Sequence, residues 1–582
     1  MRRQRAPVGR RVRSQQAGAV TLRQLAAFAR GDRVKIALGL GIAMVVIVLS
    51  CIPYLPLQDI PQQSKMLAQQ RELHPGQVTE YYRVRTGLVF GYQLYCWIDR
   101  LLAPILTPDQ SLRALFIVAF LLLPLAVWRL ARATAADPAL ATLLALPLGL
   151  SGHFKLGLVS YALGIPCALL ALAQAFEISA AVRLRSALAL CLWLTLAQTS
   201  HPVAFLIAGL MVFLVWLYRA RKQPYATIAI VGAALPALLM LIHDARAEAY
   251  RNIPGFGFVW PVPLVTMQNL EHVFFGYFFL SYGIAGPLSL AGHLPLLVGT
   301  AACAALALQK PVGERWIRHA LIWMIVLVSL PDVIAPRSLG TTFELATRFP
   351  LVACLLFTIL GGQARARLSA RVLGAVGAAT LLAVGVSSAE LLRHSLAIRA
   401  MIGDHPPRVL DGRVLPVRFN PCGHLASERA KSWHTYDPYW HIWAYALKNN
   451  AVSPQSFAFS GYHLVQLRSE LYPQLAGIPD WLGLSSWVPE QSCAENNRLR
   501  LLWSLGVEQY DTVLAINLPE ELRRSLDGTG LRVERISPGF TAIRKASAAG
   551  GAPGDAHTEA GLPARGSLRP TASAPSSTTP LR

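Results

Sequence analysis

Long apolar runs recur along this chain from Ile36 to Leu391, and no other feature restricts its fold as strongly. The clearest are Ile36–Leu55, Leu112–Leu130, Leu156–Phe176, Val203–Tyr218, Tyr225–Ile242, Leu294–Leu308, Ala320–Ile334, Phe349–Leu360 and Val372–Ala389. Ala139–Leu150 and Ala187–Ala197 are shorter and weaker. A bilayer core is crossed by about 20 mostly apolar residues in helical form, because each backbone N–H and C=O must find its partner within the segment. Several runs reach that length only with their flanks, and tilt or local thinning covers the deficit. The pattern predicts an α-helical polytopic membrane protein with about 11 spans. Composition agrees, since 54% of the 582 residues are hydrophobic and only 15% are charged. A soluble protein carries about 25% charged residues. Disorder is excluded for most of the chain, and eight cysteines are too few for a secreted disulfide scaffold.

The formal charge of +23 invites a nucleic-acid reading, and the positions of the charges argue against it. Residues 1–35 hold ten Lys/Arg against a single acid, Asp32, which assigns this end to the cytoplasm. If the spans then alternate, the cytoplasmic loops hold Arg129 and Arg132; Arg183 and Arg185; Arg219, Arg221 and Lys222; Lys310, Arg315 and Arg318; and Arg365, Arg367 and Arg371. The short turns on the other side, Ser151–Lys155 and Gln198–Pro202, hold only Lys155. The basic excess therefore reports topology, and no nucleic-acid partner is expected. Pro53, Tyr54 and Pro56 follow the first run where a cleavable signal would have small residues, so that run reads as an anchor.

Three regions fall outside the lipid on the extracytoplasmic side. Residues 56–110 form a long first loop, ending in Phe90–Ile105, whose Gln93, Asp99 and Arg100 argue for a helix lying in the interface. The second region, from His243 to about Pro287, mixes charges with Trp260 and the aromatic run Phe274–Tyr282, and reads as membrane-hugging. The third is a small α/β domain over 393–545, with strands expected at Val414–Phe419, Tyr510–Ile516 and Leu531–Ile536. Helices are expected there at Pro438–Asn449, Asn497–Leu505 and Pro519–Leu526. The membrane part is 36–392, and 546–582 is a disordered Ala/Gly/Pro/Ser/Thr tail. Cys422 and Cys493 are the only cysteines of the C-terminal domain. In an oxidising compartment they are a candidate disulfide closing a loop of about 70 residues, worth about 4 kcal/mol.

The outer-face polar residues carry the chemistry. Asp59, just past the first run, is placed to act as a general base on a hydroxyl or to orient a metal. The plainer reading makes it the N-cap of the helix that Pro61 starts. Glu80, Arg83 and Arg85 follow in the same loop, and headgroup snorkelling accounts for the two arginines equally well. His153, Lys155 and His201 sit at outer turns, and Glu344 and Arg348 at the mouth of a span. His434, Asp437 and His441 match no metal-ligand spacing and read as part of an aromatic docking surface. There is no P-loop, no dinucleotide fingerprint and no HExxH.

An N-terminal span leading to an Asp in a long outer loop, an interfacial helix, a polytopic bundle and a C-terminal outer domain together resemble the GT-C superfamily of membrane glycosyltransferases. The segment DIPQQSKMLAQQ is similar to the Asp-Leu-Pro-x-His pattern of a poorly characterised bacterial group within it. SGHFKLGLVSYALGIPCALLALA, SHPVAFLIAGL, TTFELATRFPL and HIWAYALKNNAVSPQSFA resemble further segments of that group. The chain departs from the pattern in having Gln62 and Gln63 where a His is frequent, so no imidazole is expected from this loop. The resemblance implies a bacterial inner-membrane location and sugar transfer from a polyprenyl-phosphate donor to a glycan, lipid or protein acceptor. Asp59 maps onto the superfamily's catalytic acid, with a divalent metal left open as cofactor. Arg83, Arg85, Glu80, His153, Lys155, His201, Glu344 and Arg348 would bind substrate. The rival readings are a non-enzymatic transporter or flippase of lipid-linked glycans, or a scaffold. A transporter would place charges at mid-membrane, whereas the polar residues here gather in the outer loops.

Overall fold

The computed structural model describes residues 33–85, 89–246, 280–284, 286–309, 314–334, 348–419, 439–454, 465–467, 492–506 and 509–544. Each expected apolar run falls on a helix. The first half contains α1 (Arg33–Cys51), α2 (Ile60–Glu72), α3 (Leu94–Leu102), α4 (Pro108–Ala133) and α5 (Pro138–Ala145). It continues with α6 (Gly152–Lys155), α7 (Val159–Ala180), α8 (Leu184–Ser200), α9 (Pro202–Tyr218) and α10 (Pro224–Arg246). The second half contains α11 (Pro287–Gln309), α12 (Arg315–Ile334), α13 (Phe349–Gly362) and α14 (Ala370–Ile402). Among the described residues, 6 helices are long and apolar enough to cross a membrane: α1, α4, α7, α10, α11 and α14. The apolar α9 and α13 are shorter, at 17 and 14 residues, and α5 has 8. The polytopic membrane architecture stands, while the expected 11 spans exceed this number.

Helix starts follow from local sequence. Thr107 and Gln110 form a reciprocal capping box ahead of Pro108, Asp137 caps α5 ahead of Pro138, and Ser369 caps α14. The apolar window of α7 is 89% buried and so forms the middle of the bundle, whereas that of α10 is 22% buried. On α10, Tyr225, Ile228, Val231, Leu235 and Leu239 point outward. Such an apolar exterior belongs in lipid.

The two ends of the bundle differ in chemistry. At one end Arg129 meets Glu177 at 3.4 Å, Arg365 meets Asp137 at 3.9 Å, and Arg219 lies over Trp316. Arg129, Arg219 and Arg365, from three of the basic clusters, thus lie at or beside helix termini. At the opposite end are Asp59, Lys155, His201, Arg348 and Glu390, and there the described C-terminal residues of 403–544 pack.

That domain is built on a four-stranded sheet of β2 (Val414–Arg418), β4 (Thr512–Ile516), β5 (Arg532–Ser537) and β6 (Phe540–Arg544), ordered β2-β4-β6-β5. β2 and β4 are parallel and the other pairings antiparallel. The sequence reading anticipated β2, β4 and β5 but not β6. Of the expected helices, residues 497–505 fall within α15 (Cys493–Gly506), and 519–526 brackets α16 (Glu520–Ser525). The stretch 438–449 instead holds a 3₁₀ turn, Ile442–Ala446. Both β2 and β4 are buried along their whole length, as covering on both faces requires. One face packs on Ile398, Ile402 and Tyr54, the other on Tyr81, Tyr82 and Val84 of the first outer loop. That loop also contributes β1 (Tyr82–Val84), antiparallel to β3 (Val465–Leu467).

One expectation changes on contact with the structure. The interfacial segment holds the short helix α3, with Leu101 and Ile105 exposed, but Asp99 is 1% exposed. It is buried because Arg71 of α2 bonds both of its oxygens, at 2.9 and 2.5 Å. Cys493 is disulfide-bonded, and the other described cysteines are free. Cys422, Glu344, His434, Asp437, residues 1–32, most of the second outer region and the tail lie outside the described residues.

Candidate active site at one end of the bundle

The site is organised by α2, whose sequence IPQQSKMLAQQRE reads as a solvent-exposed helix. It is instead buried from Ile60 to Gln70. Buried polar surface is the informative kind, and here several of its groups bond to neighbouring elements. Gln63 Nε2 donates to Gly157 O at 2.8 Å, Lys65 Nζ to Ala451 O at 2.7 Å, and Gln69 to Asn449 O. Ser64 accepts from Arg408 at 3.2 Å. The helix is a polar bolt between the membrane bundle and the C-terminal domain.

Asp59 stands at its N-terminus, in the N-cap position but without a side-chain cap. Its side chain makes no capping bond to α2, in contrast to Thr107, Asp137 and Ser369 at their own helix starts. Its backbone is fixed instead, with Asp59 N donating to Leu156 O at 3.1 Å and Asp59 O accepting from Gln63 N at 3.0 Å. Gly157 makes that approach possible. It adopts φ +82°, and a Cβ there would lie 3.0 Å from Asp59 N. The freed carboxylate faces His441, whose Nε2 is 3.6 Å from Oδ1. Burial raises the Asp59 carboxyl from 3.8 to about 7, and the positive charge of Arg348 acts against that rise. Burial likewise lowers the Lys65 ammonium from 10.5 to about 7.

Arg348, at the N-cap of α13, is 7% exposed. Its guanidinium lies 5.5 Å over the Tyr161 ring and against His201, and Tyr161 donates its hydroxyl to the Arg348 carbonyl. His201 Nδ1 also lies 3.2 Å from Val203 N as the cap of α9. A neutral imidazole has one lone pair, so His201 serves the cap or the arginine, not both at once. Tyr92 meets His201 edge-on at 4.6 Å, and His153 lies 5.2 Å from Tyr161. The carboxylate of Asp244 anchors the segment leading to Tyr92, accepting from Phe90 N at 3.0 Å and Gly91 N at 2.7 Å.

Of the residues selected from sequence, the structure gathers Asp59, His153, His201 and Arg348. Lys155 is nearby but committed. Its Nζ donates to Glu390 at 2.7 Å and to Gly283 O at 2.6 Å. Glu80 and Arg83 are exposed on the β1 hairpin, pointing to solvent rather than into this cluster. Arg85 is half-buried beside them. His441, Gln62, Tyr161 and Tyr92 were not selected. For His441, no signal in the spacing links it to a residue 382 positions earlier. The buried polar helix α2 was equally hidden, since only packing reveals it. For a divalent metal the fit is incomplete: Asp59 and His441 are two donors of the right type, and among the described residues no group of three His, Cys, Asp or Glu side chains assembles.

No family model matches the chain, and no curated protein does. Solved structures do. The chain is similar to ArnT from Cupriavidus metallidurans bound to undecaprenyl phosphate, with TM-score 0.53 and 12% identity, covering 88% of this chain and 98% of that one. The apo state of the same protein gives TM-score 0.52 and 13% identity, covering 90% and 100%. The mycobacterial arabinofuranosyltransferase AftD aligns at TM-score 0.45 and 13% identity, over 88% of this chain and 40% of that one. At such identities the fold is what is shared, and it is a GT-C-like multi-pass membrane fold.

Proposed function

We propose that this chain is a membrane glycosyltransferase. It transfers a sugar from a polyprenyl-phosphate-type lipid donor to a hydroxyl of a glycan, lipid or protein acceptor at the outer face of the bacterial inner membrane. The N-terminus would be cytoplasmic and the C-terminal domain extracytoplasmic. The observation that carries the reading is Asp59: a carboxylate released from helix capping, buried beside an arginine, with its proton affinity brought close to neutral. A general base works best when its pKa lies near the operating pH. The lipid-bound state of the similar ArnT structure supports a lipid-phosphate donor.

In this reading Asp59 accepts the proton of the acceptor hydroxyl as its oxygen bonds to the anomeric carbon. The bond from that carbon to the phosphate oxygen breaks, and the electron pair leaves on the phosphate. Arg348 neutralises the developing negative charge, with Tyr161 and His201 holding the guanidinium in place. Lys155 is spent on Glu390 and serves the architecture. No step is routed through a metal.

The test supplies purified protein with radiolabelled polyprenyl-phosphate sugars and cell-envelope acceptors, with Asp59→Asn run alongside. Transfer by the wild type, cut to a small residual level in Asp59→Asn, is the expected result. Transfer that survives Asp59→Asn undiminished removes Asp59 from the chemistry. No transfer with any donor favours the transporter or scaffold.

A further inference from the structure

We propose that His441, carried by the C-terminal domain, is a positioning residue for Asp59: it presents an N–H to the carboxylate and is itself oriented by Gln62. This rests on the reading of Asp59 as base and adds that the base is completed from a second domain.

The geometry supplies each link. Gln62 Nε2 lies 3.2 Å from His441 Nδ1. An amide nitrogen only donates, so with the amide so oriented Nδ1 holds the lone pair and the ring proton sits on Nε2. That is the nitrogen facing Asp59 Oδ1, at 3.6 Å. The separation exceeds a formed N–H···O bond, and contacts of this kind in a resting site tighten once substrate is bound. The imidazole is held for this purpose. His441 is 6% exposed, edge-on to Trp440 at 6.3 Å and Trp443 at 5.9 Å. Its carbonyl accepts from Ala444 N at 3.0 Å, which opens a buried 3₁₀ turn. The other charged group acting on Asp59 is Arg348, from the start of α13.

The chemical consequence is directional. With one carboxylate oxygen held by His441, the other stays turned toward the acceptor hydroxyl. Without that contact nothing on α2 replaces it, because Asp59 makes no capping bond, and the carboxylate rotates away from its productive orientation.

The test uses the full-length protein in lipid nanodiscs, with His441→Ala, His441→Gln, Gln62→Leu and Asp59→Asn. Misplacing a catalytic group by about an ångström costs about 100-fold in rate. His441→Ala should therefore lower kcat by about 10- to 100-fold, with KM for the lipid donor little changed. His441→Gln, which keeps an N–H near the Nε2 position, should recover part of the loss. In an Asp59→Asn background, His441→Ala should cost nothing further, since pairs acting as one unit are not additive. Wild-type kcat in His441→Ala, or an equal loss in the Asp59→Asn background, overturns the proposal. If His441→Ala does not fold, Gln62→Leu carries the same comparison. A second readout needs no turnover: labelling of Asp59 by dicyclohexylcarbodiimide, which attacks protonated carboxyls, followed by mass spectrometry across pH. Losing the His441 donor should move labelling to higher pH, and an unchanged profile overturns the proposal even if no sugar donor is ever found. Absent transfer with a shifted profile would instead condemn only the glycosyltransferase reading.

Discussion

Replacing Asp59 by Asn should stabilise the protein while cutting its activity to a small residual level, and the gain should grow with pH. Burial raises the Asp59 carboxyl from 3.8 to about 7. Between those values the folded state holds a proton that the unfolded chain releases. The proton's contribution to stability is complete below the unfolded value and is lost as pH rises through the folded one. Relative to a side chain that never ionises, the cost of Asp59 is negligible at about pH 3, about 2 kcal/mol at pH 5 and about 4 kcal/mol at pH 8. The side chain keeps 13% of its surface in contact with solvent, so these figures are upper limits. Asparagine has the same shape, cannot ionise, and still offers an oxygen to His441.

For 582 residues, an unfolding entropy of about 2.1 cal/mol/K per residue makes 4 kcal/mol worth about 3 °C in Tm. Melting of wild type and Asp59→Asn in the same detergent or nanodisc, at pH 5, 6, 7 and 8, measures the difference directly. The variant should melt higher at every pH, by a margin that widens toward pH 8. A variant that melts lower, or a margin independent of pH, refutes the claim that Asp59 is held in a site hostile to its charge. Sugar transfer, where measured, should rise with pH through about 7 in the wild type, as ionisation of the base requires.

Lys65→Met should also stabilise, with the opposite pH trend: the buried ammonium is lowered from 10.5 to about 7, so the gain, up to about 5 kcal/mol, is complete below pH 7 and fades toward 10.5. Thermal melts from pH 6 to 10 check the sign. Arg348→Gln should reduce kcat/KM for the lipid donor by about 10²- to 10³-fold, as loss of one preorganised donor at a developing charge does, and kinetics against donor concentration measure it. Gly157→Ala should cost about 1–2 kcal/mol from its left-handed backbone alone, and should lower turnover further by pushing on Asp59 N, seen in Tm and rate together. Asp99→Leu leaves Arg71 without its buried partner and should destabilise by about 3–5 kcal/mol, read from Tm or detergent-induced unfolding.

The helices were legible from the sequence because burial in lipid imposes long apolar runs, and Pro-linked caps such as Thr107–Pro108 and Asp137–Pro138 mark their starts. Strands β2 and β4 were legible as short β-branched runs. Strand β6 was missed although Pro538-Gly539, a turn dipeptide, separates it from β5 and marks a hairpin. The site was legible only where it lies beside a span. Asp59, His201 and Arg348 each neighbour the end of an apolar run, so topology places them together. His441 and the buried side of α2 escaped because their environment is made by contacts between residues about 90 to 390 positions apart, and α2 has the polar composition of a surface helix. The sequence reading expected no imidazole from the first outer loop, since Gln62 and Gln63 stand where a His is frequent. The structure brings one from elsewhere, with Gln62 as its hydrogen-bond partner.

This arrangement also bears on whether the C-terminal domain is an appendage. A 33-residue helix is about 50 Å long, against about 30 Å of hydrocarbon core, so α14 continues past the bilayer. Its end, Ile398 and Ile402, forms part of the core under the sheet. Tyr54 N, just past α1, donates to Ser395 of α14 at 3.0 Å, and its hydroxyl donates to Gly403 O at 2.9 Å. The other face of the sheet is closed by Tyr82 and Val84 from the first outer loop. A domain whose two faces are both covered by the membrane half has no interface along which to swing free, because separation would expose both cores to water at once. The cover over Asp59 is therefore built in rather than recruited. The same burial that brings Asp59 close to neutrality depends on residues 439–451 staying seated, and the stability of the domain and the proton affinity of the base are two readings of one set of contacts.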